Sequence, residues 1–110
     1  MNHKVIILSS AEYDLKELRF YIIKNFSIKT WQNTYNKIKE TIRNLKKFPY
    51  SGSIPEELEK LNLNQYRQVI SGMNQIIYEV RQDNIYIHII VDSRKSFKTL
   101  LEKHFLRDNY

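Results

Sequence analysis

His88 sits inside a run of β-branched residues, Ile85 to Val91, and Arg94 follows three positions after that run. An imidazole exchanges a proton near neutral pH, and a guanidinium keeps a planar fork of charged donors that suits a phosphate. Such residues converging on one sheet face can hold a nucleic acid and act on it as acid or base. Each has a plainer use as well. His88 reads equally as a hydrogen-bonded histidine on a half-buried strand, and Arg94 as an exposed arginine paired with Asp92 or Glu102.

A second cationic feature spans residues 29–47, where Lys29, Lys37, Lys39, Arg43, Lys46 and Lys47 stand against one acid, Glu40. Lys39, Arg43, Lys46 and Lys47, with Tyr86 on the last strand, are candidates for contact with a phosphate backbone or another acidic target. The commoner meaning of such a run is a solvated helix face whose long stems cover apolar surface. His3 and His104 lie near the ends, and no His-x-His or His-x-x-Glu spacing supports a metal site, so no metal or cofactor is expected.

The elements that would position these residues follow from periodicity. Residues 3–8 (HKVIIL) read as a strand. Ser9 and Ser10 then precede a helical pattern with Glu12 three residues after Ser9, the arrangement of a capping box. Leu15, Leu18, Ile22 and Phe26 line one face of a first helix, and Ser27 is a second candidate N-cap. Trp31, Tyr35, Ile38, Ile42 and Leu45 form the seam of a second helix that stops before Pro49. After a loop with a short turn at 56–61, three strands are expected at 66–71, 75–81 and 85–91. Residues 72–74 and 82–84 are their turns. Strict alternation puts Ile85, Ile87, Ile89 and Val91 on one face of the last strand, with Tyr86, His88 and Ile90 on the other. Phe97, Leu100, Leu101 and Phe105 suggest a closing helix. The class is α+β, in the order β-α-α-β-β-β-α.

With 110 residues and no internal linker, the chain is read as one domain over 1–110. Cysteine is absent, which excludes disulfides and fits a reducing cytoplasm. The apolar run Val5 to Leu8 is too short for a secretory segment, and no stretch is long enough for a transmembrane helix. A net charge of +6 favours an acidic partner: nucleic acid, an anionic protein or a membrane surface.

In this order and length the chain resembles the RelE/ParE toxin superfamily. SSAEYDLKEL looks like that family's strand-to-helix start, and NLKKFPYSG like its proline–glycine turn after the helical hairpin. YRQVISGMNQIIYEVRQDNIYIHIIVDSRK is similar to its hairpin and central strand. The resemblance covers essentially the whole chain. It implies a helical hairpin packed on a small, twisted, mainly antiparallel four-stranded sheet, the plan also found in microbial ribonucleases. It further implies a cytoplasmic toxin held inactive by a cognate antitoxin, with no membrane partner.

Two activities are open under that resemblance, messenger-RNA cleavage being the expected one and gyrase inhibition the alternative. RelE-like members cleave messenger RNA on the ribosome without metal, and ParE-like members block DNA gyrase without catalysis. For the first, Arg94 matches the family's phosphate-stabilising arginine at the strand exit and Arg67 a second basic position, with His88 as acid or base. Arg67 also suits the anchoring of an acidic antitoxin segment. Two expected partners are missing, because the family's other arginine falls on Gln75 and its catalytic tyrosine on Leu100. For the antitoxin, Leu101, Phe105 and Leu106 and the sheet edge offer places for an amphipathic helix or an added strand.

Overall fold

The computed structural model describes residues 3–94. Strand β1 (Lys4–Ile7) leads into helices α1 (Ser9–Asn25) and α2 (Ile28–Lys47), then one helical turn, α3 (Glu56–Glu59). Strands β2 (Tyr66–Ser71), β3 (Asn74–Arg81) and β4 (Asn84–Asp92) complete the described chain. The α+β order is as expected through β4. The expected C-terminal helix, with Leu100, Leu101, Phe105 and Leu106, lies outside the described residues.

α2 begins where Ser27 stands in extended geometry and its Oγ accepts the Thr30 N–H at 3.0 Å. It ends at Lys47, one residue before Phe48-Pro49, as the steric bar on helix before proline requires. Its buried residues are Ile38, Ile42 and Leu45, and each such side chain contributes on the order of 1.5–3 kcal/mol by leaving water. Tyr35, placed on the same seam, is 37% exposed.

α1 departs from expectation at both ends. Leu8, not Ser9, is the N-cap, with no side-chain bond there, so the Ser9–Glu12 capping box does not form. Ser10 is instead buried within the helix and donates to the carbonyl of His88 at 2.8 Å. Phe26 falls just beyond the helix, at its C-cap, and is exposed.

The sheet order is β1-β4-β3-β2. β2, β3 and β4 form an antiparallel meander, and β1 lies parallel to β4 with Lys4 opposite Asn84 and Ile7 opposite Ile87. Both hairpin turns use two residues rather than three. Gly72-Met73 joins Ser71 to its partner Asn74, and Gln82-Asp83 joins Arg81 to Asn84. Right-handed strand twist favours a positive φ at the first turn residue; Gly72 adopts it at 60° and Gln82 at 52°.

Both helices contribute to the main core. Ala11 of α1 and Ile38, Ile42 and Leu45 of α2 meet Ile76, Tyr78, Ile85, Ile87 and Ile90 of the sheet. A smaller cluster of Ile77, Ile89 and Val91, joined by Tyr66, forms separately. The division corrects the strict alternation expected along β4. Ile77 pairs with Ile89 but Tyr78 pairs with Ile87, so His88 is an extra residue, a β-bulge. Beyond it the parity reverses: Ile90 joins Ile85 and Ile87 in the helix-facing core, while Ile89 and Val91 turn the other way.

Candidate functional site

His88 lies at the bulge on the sheet face opposite the main core. Its Nε2 is 3.0 Å from Oε1 of Glu79 on β3, and both residues are buried. Arg81, two positions on and so on the same face, binds Glu79 with two parallel donors, each at 2.8 Å. Its guanidinium also lies over the Tyr86 ring, 4.8 Å from the centroid. The Tyr66 ring meets the imidazole edge-on at 5.0 Å. Burial alone would raise the Glu79 carboxyl, yet the bonds from Arg81 and His88 hold it below the usual carboxylate range. The same carboxylate holds the Arg81 proton above the ordinary guanidinium range.

A carboxylate bound to one ring nitrogen fixes the imidazole's orientation, as it does in many catalytic bases. Here burial, Tyr66 and the strands around it enclose the ring, so the arrangement acts first as a packed polar network.

Arg67 is not part of it. Its cross-strand partner is Tyr78, a residue of the helix-facing core. Its Nη1 donates to the carbonyls of Gly52 at 2.7 Å and Tyr50 at 3.3 Å, with the guanidinium 5.1 Å from the Tyr50 ring. Arg67 thus ties the loop after α2 to the sheet. Arg94 stands beyond the end of β4, its exposed guanidinium in a two-bond pair with Asp92 at 2.9 and 2.6 Å. It borders a groove of about 450 Å³ lined also by Asp14, Leu18, Tyr21 and Ile90. Gln75, where the resemblance expects an arginine, bonds through its amide to Gln68 across the hairpin.

His88, Arg67 and Arg94 are therefore in three settings, and only Tyr86 of the predicted set joins the His88 network. Glu79, Arg81 and Tyr66 were not singled out from sequence. A usable signal existed: counting back from the turn at 82–83 sets Glu79 beside Tyr86 and within reach of His88. Among the described residues, no group of three or more His, Asp or Glu side chains is placed to hold a metal ion.

The predicted target-binding lysines lie on α2, and Lys39, Arg43, Lys46 and Lys47 are all exposed. The Tyr35 ring stacks on Trp31 at 5.3 Å and carries the Lys39 ammonium 4.7 Å from its centroid. One turn apart each, Trp31, Tyr35 and Lys39 make a ladder on the helix surface. Further along the hairpin, Phe20, Phe26 and Ile28 are exposed at 60–69%. The predicted antitoxin contacts Leu101, Phe105 and Leu106 lie outside the described residues. No helix among the described residues is long and apolar enough to cross a membrane.

The family model for the ParE toxin of the type II toxin–antitoxin system, parDE, matches residues 5–97. No curated protein matches the chain. Among solved structures, the chromosomal ParDE TA system from P. aeruginosa is similar with a TM-score of 0.68 at 14% identity, over 82% of this chain and 95% of that one. The toxin–antitoxin complex RelBE2 from Mycobacterium tuberculosis is similar with a TM-score of 0.59 at 14% identity, over 84% of this chain and 99% of that one. At such identity the two structures attest to the fold alone.

Proposed function

This chain belongs to the family of ParE toxins of type II toxin–antitoxin systems, and from that premise we propose that it arrests growth by binding DNA gyrase rather than by cutting messenger RNA. The observation that carries this reading is the separation of the nuclease candidates. His88 is buried in the Glu79–Arg81 network, Arg67 is bonded to loop carbonyls on the other face, and Gln75 supplies no cation. Cleavage through a 2′-hydroxyl needs an acid, a base and cations around one phosphate. In contrast, the α2 ladder and the exposed apolar residues of the hairpin suit contact with a large macromolecular target. A cognate antitoxin covers the toxin until it is released, and both act in the cytoplasm, where gyrase works.

One observation favours the RelE-like alternative on the ribosome, namely the carboxylate-bound imidazole of His88. A single pair of assays separates the two. Purified toxin is added to a gyrase supercoiling reaction and, separately, to a translation reaction read by primer extension on the message. Lost supercoiling with an intact message is expected. Cuts within codons that disappear in His88→Ala, with supercoiling unaffected, would establish the nuclease instead.

A further inference from the structure

The buried residues of α1 end at Ile22, and those of α2 begin at Ile38. Among the described residues, none from 23 to 37 joins the main core. At 1.5 Å per residue back from Ile38 to Ile28, the closed end of the hairpin reaches about 15 Å past the last such contact. A helix surface turned to water is ordinarily polar. This end instead carries Phe20, Phe26 and Ile28, all exposed, with the Tyr21 ring edge-on to Phe26 at 6.3 Å. Exposed apolar side chains clustered in this way mark a contact surface.

Two further features narrow what this end can meet. Residues 18–39 contain no aspartate or glutamate, while Arg19, Lys24, Lys29, Lys37 and Lys39 fall among them. The Lys24 ammonium lies 5.7 Å from the centre of the Phe20 ring, and Lys29 directly follows Ile28, so cations collar the apolar tip. Several polar groups of the turn are also bonded within it. Asn25 donates its amide to the Tyr21 carbonyl at 2.9 Å, the Phe26 N–H goes to the Ile22 carbonyl at 2.8 Å, and the Thr30 N–H goes to Ser27 Oγ. Groups paired in this way lose little on entering a medium that offers them no partners.

We propose that the tip of the α1–α2 hairpin docks the free toxin on an anionic lipid surface. Phe20, Phe26 and Ile28 enter the boundary between headgroups and acyl chains, and Arg19, Lys24 and Lys29 rest on lipid phosphates. Apolar insertion or a basic patch alone gives weak, reversible binding, and the two together hold. An anionic bilayer supplies what a projecting tip needs, an apolar medium under a layer of negative charge. A second copy of this chain brings the same collar of bases, so pairing tip to tip is disfavoured. The contact is with the surface only, because no helix among the described residues is long and apolar enough to span a membrane. It departs from the expectation of no membrane partner. The inference goes beyond the reading above, and a supercoiling reaction, which contains no lipid, decides nothing about it.

The purified chain is sedimented with phosphatidylcholine vesicles, with and without about 30% phosphatidylglycerol. Binding to the anionic vesicles should exceed binding to the neutral ones by about tenfold or more, and it should weaken as salt rises. The single tryptophan, Trp31, lies one turn into α2 and reports entry by a blue-shifted emission that iodide no longer quenches. Phe20→Ser combined with Phe26→Ser removes only exposed rings, so the fold is kept and partition falls about tenfold or more. Lys24→Glu combined with Lys29→Glu should produce a similar loss on the anionic vesicles. Should the phenylalanine pair fail to fold, Ile28→Ser takes its place, with a loss of about threefold or more. The proposal is overturned by no binding, by equal binding to neutral and anionic vesicles, or by undiminished partition of either double variant. It is equally overturned if sedimentation without lipid shows a dimer that the phenylalanine pair breaks. Loss of supercoiling inhibition in that pair with vesicle binding intact would assign the tip to a protein target instead.

Discussion

The carboxylate of Asp14, on α1, accepts the backbone N–H of Ile90, on β4, at 3.0 Å. β1 runs beside β4 only as far as Ile7 opposite Ile87, with the Leu8 N–H reaching Ile87 at 3.1 Å. From there the first turns of α1 take over. Ser10 bonds the His88 carbonyl and Asp14, one turn later, bonds the Ile90 amide. Two polar side chains at helical spacing thereby stand in for the missing strand, and they secure the bulge that sets the orientation of His88.

Replacing Asp14 with alanine should leave the Ile90 N–H buried without that acceptor. The expected cost is about 1–3 kcal/mol, and Asp14→Asn, which keeps an acceptor, should lose less. Urea unfolding of the two variants beside the parent measures the difference. Equal stabilities for Asp14→Ala and the parent would show that this bond does not matter.

The Glu79 network predicts a dependence on acid. A carboxyl held below its usual range stabilises the fold fully above the unfolded value, near 4.3, and that stability is lost as pH falls through the lower folded value. Glu79→Gln should therefore flatten the acid side of the stability curve while changing its shape little at alkaline pH. Unfolding midpoints recorded from pH 3 to 7 test this, and an unchanged acid limb would contradict it.

Gly52 is held by space rather than by backbone angle. A Cβ there would stand 2.6 Å from both the Gln68 carbonyl oxygen and the Tyr78 hydroxyl. Gly52→Ala should cost on the order of 1–3 kcal/mol through forced shifts. Tyr78→Phe should cost a similar amount, about 1–3 kcal/mol, by stripping partners from the Gly52 N–H and the Pro49 carbonyl, bonded at 3.0 and 2.7 Å. Thermal unfolding of each variant checks both; full retention of the parent midpoint would refute them.

The α2 surface should govern target binding without governing stability. Lys39→Glu and a Lys46→Glu, Lys47→Glu double variant change exposed charges, so stability should move by less than about 0.5 kcal/mol per site. Inhibition of supercoiling should weaken, most at low salt where charge attraction is least screened. Undiminished potency in both variants at low salt would remove α2 from the target interface.

Much of this was legible without coordinates. The order of elements through β4, the Ser27 cap, the stop before Pro49 and the bounds of β2 follow from rules that act within a few residues: local steric bars, hydroxyl caps and two-residue alternation. The family resemblance, too, lies in the order and spacing of local signals. The capping box at Ser9 does not form because the helix already includes Ser9, with Leu8 at its N-cap, while the neighbouring Ser10 bonds the distant His88 carbonyl.

The linear chain thus determined which segments become helix and strand, and its excess of positive charge, since propensity and composition belong to residues singly or in near neighbours. Only the tertiary structure decided that His88 is an inserted residue, that Glu79 and Arg81 enclose it, and that Arg67 turns to the opposite face. Those facts depend on strand register. A shift of one residue in pairing sends a side chain to the other side of the sheet, and that shift is set by contacts between segments far apart in sequence.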